Sequence, residues 1–245
     1  KSLQTVPTSL MIIGVAVFSF FAAKIMSRIG RKVGFLYAAF FSTFSVLLAG
    51  YAVWDKNFYL FCLACFFIGN GMAFTHQYRF AAAESVEKIF IPKALSIIML
   101  ATIFSALLGP NIANFNKDLI SGHLFVGSYL SLAVLTFIPI FFLIFYNPKA
   151  EPERAKEYKG RSYFELIAQP KFLQAVASAA FAYAVMSFLM TATPINMHVI
   201  ENYSLNKTGI VIQLHIVSMF LPSLITGNLL RKFGHSKIIY IGVVF

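Results

Sequence analysis

The sequence predicts an all-α fold, a polytopic membrane helix bundle, on two observations. Hydrophobic residues make up 59% of the chain and charged residues only 12%, about half of the charged share of an average soluble domain. Lys, Arg, Asp and Glu are also absent from seven long runs, residues 2–23, 33–54, 57–78, 94–116, 119–148, 172–200 and 208–230. Each run can supply the ~20 residues that a bilayer-spanning helix needs. These solid apolar blocks lack the alternating polarity of barrel strands, so we expect seven complete spans.

The positions of the charges predict which loops face the cytoplasm. Short loops rich in Lys and Arg stay on the cytoplasmic side. If the turn around Arg31 is cytoplasmic, sixteen of the 20 Lys and Arg residues lie on that side, and only Lys1, Lys56, Lys117 and Lys207 lie on the other. The net charge of +11 is then explained by membrane topology. A nucleic-acid partner is not expected, whereas the lipid bilayer is.

The first two spans meet at a short basic turn, residues 27–32. Gly30 lies in this turn where a tight bend requires a residue without Cβ. The second span ends in Tyr51 and Trp54. Aromatic side chains of this kind concentrate at membrane interfaces, so we expect them at the outer interface.

The third and fourth spans contain small and polar residues inside their apolar runs. Gly69 and Gly71 flank Asn70 in the third span, and small residues allow helices to approach each other closely in lipid. The fourth span contains Gly109 and Pro110, a pair that bends or loosens a helix. The fifth span, by contrast, is almost purely apolar and is expected to pack as a scaffold or to face lipid.

A hydrophilic segment interrupts the pattern after the fifth span. Residues 149–165 contain nine charged residues, and Pro148 and Pro152 lie at the start. We expect a cytoplasmic linker over residues 148–170, with a short surface helix from Arg161 to Ile167. The sixth and seventh spans follow, and then a second basic, glycine-centred turn from Arg231 to Lys237. The last apolar run is too short to cross a bilayer, so we expect the chain to be a piece of a longer protein.

The two basic turns resemble a loop motif of the major facilitator superfamily, G-x-x-x-D-R-x-G-R-K. In the first turn Ala23 replaces the leading Gly and Ser27 replaces the Asp. The other residues of the turn match the motif, namely Arg28, Gly30, Arg31 and Lys32. The second turn retains Gly227, Lys232 and Gly234, with Arg231 in the place of the Asp.

This resemblance implies an arrangement for the whole chain. In the family the motif lies between helices 2 and 3 and recurs, degenerate, between helices 8 and 9 of two six-helix halves. Residues 1–147 would then be the N-terminal half without its first helix. Residues 148–170 would join the halves, and residues 171–245 would begin the C-terminal half with helices 7, 8 and part of 9.

The resemblance also implies a function, the transport of a small molecule by alternating access. Transport would be secondary active, with proton-coupled symport or antiport. The gating residues would be Ser27, Arg28, Gly30, Arg31, Lys32, Gly227, Arg231, Lys232 and Gly234. Ser27 supplies no anion for the ionic latch of the family, and Glu84 could stand in, although the sequence does not place it. The alternative is that the basic turns only set the topology.

Polar side chains inside the spans are the candidates for the substrate cavity. They are Asn70, Ser105, Asn111, Tyr183, Ser187, Thr191, Gln213 and His215. Each could equally join helices to one another. The seven runs contain no Asp or Glu, so proton coupling would use His215, a carboxylate of a helix outside this chain, or no group at all. A neutral, aromatic cavity of this kind argues against phosphate or dicarboxylate substrates.

Two other classes of protein are compatible with seven spans. A complete seven-helix receptor is the main alternative, and a membrane enzyme would need a cluster of His, Asp and Glu that the sequence does not contain. Cys62 and Cys65 have C-x-x-C spacing, but no second pair accompanies them, and buried free cysteines usually behave as small hydrophobes. We therefore expect a polytopic protein of the bacterial inner membrane, without enzyme activity, metal or cofactor.

Overall fold

The fold is all-α, as predicted. The structure, a computed structural model, describes residues 3–147 and 162–244, and regular structure in these ranges is helical. Seven helical segments are long and apolar enough to cross a membrane, which confirms the predicted number of spans. They are Val6–Ile29, Arg31–Trp54, Phe58–Glu84, Lys88–Asn116, Val126–Phe145, Pro170–Ile200 and Leu205–Thr226.

The α-helices are numbered here in chain order. They are α1 (Val6–Ile29), α2 (Arg31–Trp54), α3 (Phe58–Thr75), α4 (Tyr78–Glu84), α5 (Ile91–Asn116), α6 (Val126–Phe145), α7 (Tyr163–Ile167), α8 (Pro170–Ile195), α9 (Leu205–Phe220), α10 (Ser223–Phe233) and α11 (His235–Val244). A 3₁₀ turn, Lys88–Phe90, precedes α5, and a π-helical turn, Asn196–Ile200, follows α8.

The chain divides into two compact units, residues 1–149 together with 209–245, and residues 150–208. In the second unit, α7 forms the C-terminal part of the short helix expected before the sixth span. The backbone N–H of Ser162 donates to Glu165 Oε2 at 3.2 Å, which satisfies a free donor at the start of this helix. Arg161 and most of the expected linker lie outside the described residues, so the boundaries at 148 and 170 stay a prediction.

Helix α3 packs between α1 and α2 in the first unit, and α2 also packs against α6. The contact with α1 depends on two glycines that let the backbones approach. A Cβ at Gly69 would lie 2.5 Å from the carbonyl oxygen of Met11 and 2.6 Å from the backbone nitrogen of Val15. A Cβ at Gly14 would meet the carbonyl oxygen of Phe66. This is the close helix approach that the small residues around Asn70 predict.

The seventh span is less regular than its apolar run suggests. The uncharged run predicts one continuous segment over residues 208–230, whereas α9 ends at Phe220 and α10 begins at Ser223. Pro222 lies in the turn between them. Because proline has no backbone N–H and clashes with the preceding turn of a helix, it accounts for the break.

The close approach of α1 and α3 leads to a test by methyl addition. In the full-length protein, Gly69→Ala should lower the melting temperature, because the added Cβ meets backbone atoms of α1 that no rotamer change can move. Gly109→Ala is the matched control, since a Cβ at Gly109 has no described atom within 4 Å. The measurement is thermal unfolding of both purified variants in the same detergent. Equal melting temperatures would contradict the close approach.

Candidate functional site

The first basic turn is built around Gly30, the only residue between α1 and α2. Its φ is 83°, a region that glycine adopts without the steric cost of a Cβ. Its backbone N–H donates to the carbonyl oxygen of Met26 at 3.0 Å and closes the last turn of α1. The predicted role of Gly30 as the turn residue is thus confirmed, and it places Arg31 at the first position of α2.

Arg31 forms a two-point ion pair with Glu84, the last residue of α4. Arg31 Nε donates to Glu84 Oε2 at 2.6 Å, and Arg31 Nη2 donates to Glu84 Oε1 at 2.5 Å. Parallel N–H···O bonds of this kind fix the geometry as well as adding energy. Of the two side chains, Arg31 is 24% exposed and Glu84 is 56% exposed, so water reaches the pair. The pair ties the start of α2 to the end of α4.

A buried apolar cluster holds these two helix ends together. Phe35 and Phe74 are each 1% exposed, and the Phe35 ring lies 4.4 Å from the ring of Tyr78. The cluster contains Ala22, Met26, Phe35, Ala38, Phe74 and Ala81 from α1, α2, α3 and α4. Because Phe35 follows Arg31 by one helical turn and Ala81 precedes Glu84 by three residues, packing of this cluster sets the distance between the two charges.

Other predicted residues of the first turn do not join this ion pair. Ser27 is exposed, and its hydroxyl donates to the carbonyl oxygen of Lys24 at 2.8 Å within its own helix. Arg28 is exposed in the last turn of α1, and Lys32 is half-buried in α2. In the described part of the chain the ion pair of Arg31 has Glu84 as its anion.

The second basic turn also contains a glycine with a positive φ between two helices. Gly234 separates α10 from α11 and has a φ of 80°. Lys232 is exposed, and its Nζ lies 5.4 Å from the centre of the Phe233 ring. Gly227 and Arg231 belong to α10, and the Arg231 side chain is outside the described part of the structure. The similarity between the two turns therefore includes the positive φ of the central glycine.

Two of the cavity candidates converge on one backbone carbonyl of α5. Asn111 Nδ2 donates to the carbonyl oxygen of Leu107 at 2.8 Å, and Gln213 Nε2 of α9 donates to the same oxygen at 3.0 Å. Gln213 is buried, whereas Asn111 and Ser105 are exposed. Gln213 therefore joins two helices that are far apart in the chain.

Helices α5 and α9 also approach each other near Gly209, which lies one turn before Gln213 in α9. A Cβ at Gly209 would lie 3.8 Å from Pro110 Cβ and 3.7 Å from Asn114 Nδ2. Pro110 lies inside α5 and leaves the carbonyl oxygen four residues earlier without its helical donor. The contact between the two helices thus occurs where the hydrogen bonding of α5 is interrupted.

Asn70 and His215 each have a buried polar atom without a described partner. Asn70 is 2% exposed, and neither its Oδ1 nor Nε2 of His215 has a hydrogen-bond partner among the described residues. Asn70 lies between Gly69, which contacts α1, and Gly71, where a Cβ would meet Ser42 of α2. A role in the substrate cavity stays a prediction for both residues.

The remaining cavity candidates belong to α8 in the second unit. Tyr183, Ser187 and Thr191 are four residues apart, a spacing that places side chains on neighbouring turns of one helix face. Tyr183 is exposed, and the other two are half-buried. A role of these three side chains in the substrate cavity stays a prediction.

The family model for the Major Facilitator Superfamily matches residues 2–245. The chain belongs to this superfamily. The predicted family and transmembrane architecture are therefore confirmed, and the family favours a transporter over the seven-helix receptor or the membrane enzyme. The protein is an integral, polytopic membrane protein.

Curated relatives are bacterial transporters. The riboflavin transporter RfnT of Brucella anthropi is 32% identical over 245 residues, which are 99% of this chain and 61% of the relative. Two uncharacterized MFS-type transporters of Bacillus subtilis are more distant: YddS is 28% identical over 96% of this chain and 57% of the relative, and YdeG is 27% identical over 94% and 56%. This superfamily chain thus spans about three fifths of the length of these relatives. No solved structure matches it significantly.

The bond between Gln213 and Leu107 can be tested by removing its donor. In the full-length transporter, Gln213→Met retains the length of the side chain but cannot donate, so it should destabilise the protein by about 0.5–2 kcal/mol, the range of hydrogen bonds between membrane helices. Leu214→Met is the matched control, since Leu214 is 61% exposed on the same helix. The measurement is reversible unfolding in mixed detergent micelles. A free energy of unfolding that equals the control would show that the bond contributes nothing.

Proposed function

We propose that this superfamily chain is part of a secondary transporter that moves riboflavin or a closely related uncharged flavin across the bacterial inner membrane. The observation that carries this is the match to a riboflavin transporter at 32% identity over 99% of the chain. The match extends over both basic turns and over all of the cavity candidates. The bacterial relatives support the location in the inner membrane.

The polar groups inside the spans suit an uncharged flavin. Riboflavin has a flat aromatic ring with amide-like donors and acceptors, and a side chain with hydroxyl groups. The seven runs contain no Lys, Arg, Asp or Glu, so amide, hydroxyl and imidazole groups are available there, together with aromatic side chains on which a flat ring can stack. A phosphorylated flavin fits less well, because phosphate groups prefer Arg and Lys.

The ion pair between Arg31 and Glu84 supports a role for the first turn as a gate. It joins the ends of α2 and α4 on the side predicted to be cytoplasmic, and its partly exposed position keeps it weak, on the order of 1 kcal/mol or less. A contact of that strength can break and re-form during each transport cycle. The gate formed by both basic turns is part of this proposal, and Arg28 and Lys32 would act beside Arg31.

Proton coupling is the second part of this proposal, with His215 as the carrier. Histidine is the side chain that exchanges a proton most readily near neutral pH, and the seven uncharged runs contain no carboxylate. The unpaired buried Nε2 of His215 is an open position for a proton or for a hydrogen-bonding group of the substrate.

Transport of riboflavin can be measured directly with the full-length protein. Expressed in a riboflavin-auxotrophic bacterium without its own importer, the protein should give saturable uptake of radiolabelled riboflavin, and excess unlabelled riboflavin should compete. Flavin mononucleotide should compete poorly because of its phosphate group. Uptake equal to that of empty-vector cells, with the protein present in the membrane and no transport by inside-out vesicles, would contradict a flavin substrate.

A further inference from the structure

A tryptophan and a histidine form a polar contact at the end of the bundle that is predicted to face outward. Trp54 is the last residue of α2, and its indole Nε1–H donates to His123 Nε2 at 3.0 Å. The ring centres are 5.9 Å apart, and the rings meet edge to face at 74°. His123 lies in the loop between α5 and α6, so this bond joins that loop to α2.

The backbone of the loop holds His123 in place. The N–H of Phe125 donates to the carbonyl oxygen of Lys117 at 2.8 Å and closes the loop, and the N–H of His123 donates to the carbonyl oxygen of Ile120 at 3.1 Å. Phe125 has a φ of 70°, which is uncommon for a residue with a side chain. A Cβ at Gly127 would meet the carbonyl oxygen of Asn116, so the two ends of the loop are packed together. The imidazole is therefore presented to Trp54 by a closed loop.

The direction of this hydrogen bond requires one protonation state of His123. An indole N–H can only donate, so the Nε2 atom of His123 must be the unprotonated nitrogen. The hydrogen of the neutral ring then lies on Nδ1, which is buried and has no acceptor among the described residues. A protonated imidazole carries N–H groups at both nitrogens and cannot accept at either. The bond to Trp54 is therefore available only to neutral His123.

Across residues 3–147 and 162–244, no carboxylate oxygen lies within 4.0 Å of a His123 nitrogen. The two segments that meet at this contact contain acidic, basic and tyrosine side chains. The titratable groups at the end of α2 and just after it, around the loop and on α6 are Tyr51, Asp55, Lys56, Lys117, Asp118 and Tyr129, and those further along α2 are Arg31, Lys32 and Tyr37. One Asp and one Lys accompany each segment, so their charges offset each other.

We infer that Trp54 and His123 form a proton-sensitive latch between α2 and the α5–α6 loop. The latch is closed while His123 is neutral and opens when His123 takes up a proton. Since α5 leads from this loop to Pro110 and the contact with α9, opening the latch at acid pH frees the outer end of that helix. The latch does not depend on which substrate the protein transports, and it can be tested without a substrate.

The latch can be followed by fluorescence of the purified full-length protein in lipid nanodiscs. The emission of Trp54 is the difference between the natural protein and Trp54→Phe, measured from pH 8 to pH 5, the range in which histidine titrates. Opening the latch moves the indole from the imidazole into water, which lowers and red-shifts indole emission, so emission should fall along a one-proton curve. Emission that stays constant over this range would overturn the latch.

Two substitutions assign the titration to a residue. In His123→Gln the amide oxygen still accepts from Trp54 but cannot titrate, so the pH-dependent loss of emission should disappear. In His198→Gln the loss should remain, because the ring of His198 bonds to the carbonyl oxygen of Tyr203 and not to an indole. The same titration in His123→Gln as in the natural protein would contradict the role of His123.

A second measurement avoids any substitution at His123. The protein is labelled with 5-fluorotryptophan, and Trp54→Phe identifies the fluorine resonance of residue 54. This resonance should move between pH 8 and pH 5 as the indole loses its acceptor. A resonance that does not move over this range would overturn the latch even if His123→Gln fails to fold.

Discussion

The buried apolar cluster that contains Phe35 and Phe74 is the constraint on which the candidate gate depends. Both rings are almost fully buried, and they join α2 and α3 at the end of the bundle that carries the first basic turn. Gly30 lets α1 turn sharply into α2, and α4 follows α3 after a short break. Since each of these ends is fixed by the same apolar cluster, Arg31 and Glu84 are brought to hydrogen-bonding distance.

The ion pair takes a form that the sequence motif of the superfamily does not predict. The motif places its acidic residue four positions before the arginine, where this chain has Ser27. Here the anion comes from Glu84, 53 positions after Arg31, and from a different helix. A charge pair within one turn would stabilise only that turn, whereas this pair connects α2 with α4. In the proposed gate, it is this connection between two helices that breaks and re-forms.

The features that follow from local chemistry could be predicted from the sequence. The spans follow from the length of the uncharged runs, and the turns follow from Gly30 and Gly234, whose positive φ values only glycine adopts readily. The small residues of the third span predict the close approach that Gly69 makes to α1. Family membership follows from the first turn taken together with its repetition, the number of spans and the central hydrophilic segment.

The features that depend on tertiary packing could not be predicted. The sequence offers Glu84 as a candidate partner but does not show where it lies. The position of helix α4 depends on its tertiary contacts and not on a pattern of residues. The bonds of Asn111 and Gln213 end on the carbonyl oxygen of Leu107, a backbone atom that leaves no trace in residue type. His123 lies in a loop outside the spans, where polar residues are ordinary, and only the folded chain brings it to Trp54. Pro222 lies inside an uncharged run, and hydropathy alone does not show that it divides a span.

The central claim is that Arg31 and Glu84 act as a pair, and a double-mutant cycle with exchanged charges tests it most directly. The cycle compares Arg31→Glu, Glu84→Arg and the double variant in the full-length protein, by thermal stability and by the transport rate measured in the same vesicles. Each single variant places like charges together and should lower both quantities. The double variant restores an opposite pair and should recover most of the loss, with a coupling free energy of about 1 kcal/mol. If the double variant loses as much as the two single variants together, the two residues act independently and the gate does not depend on their contact.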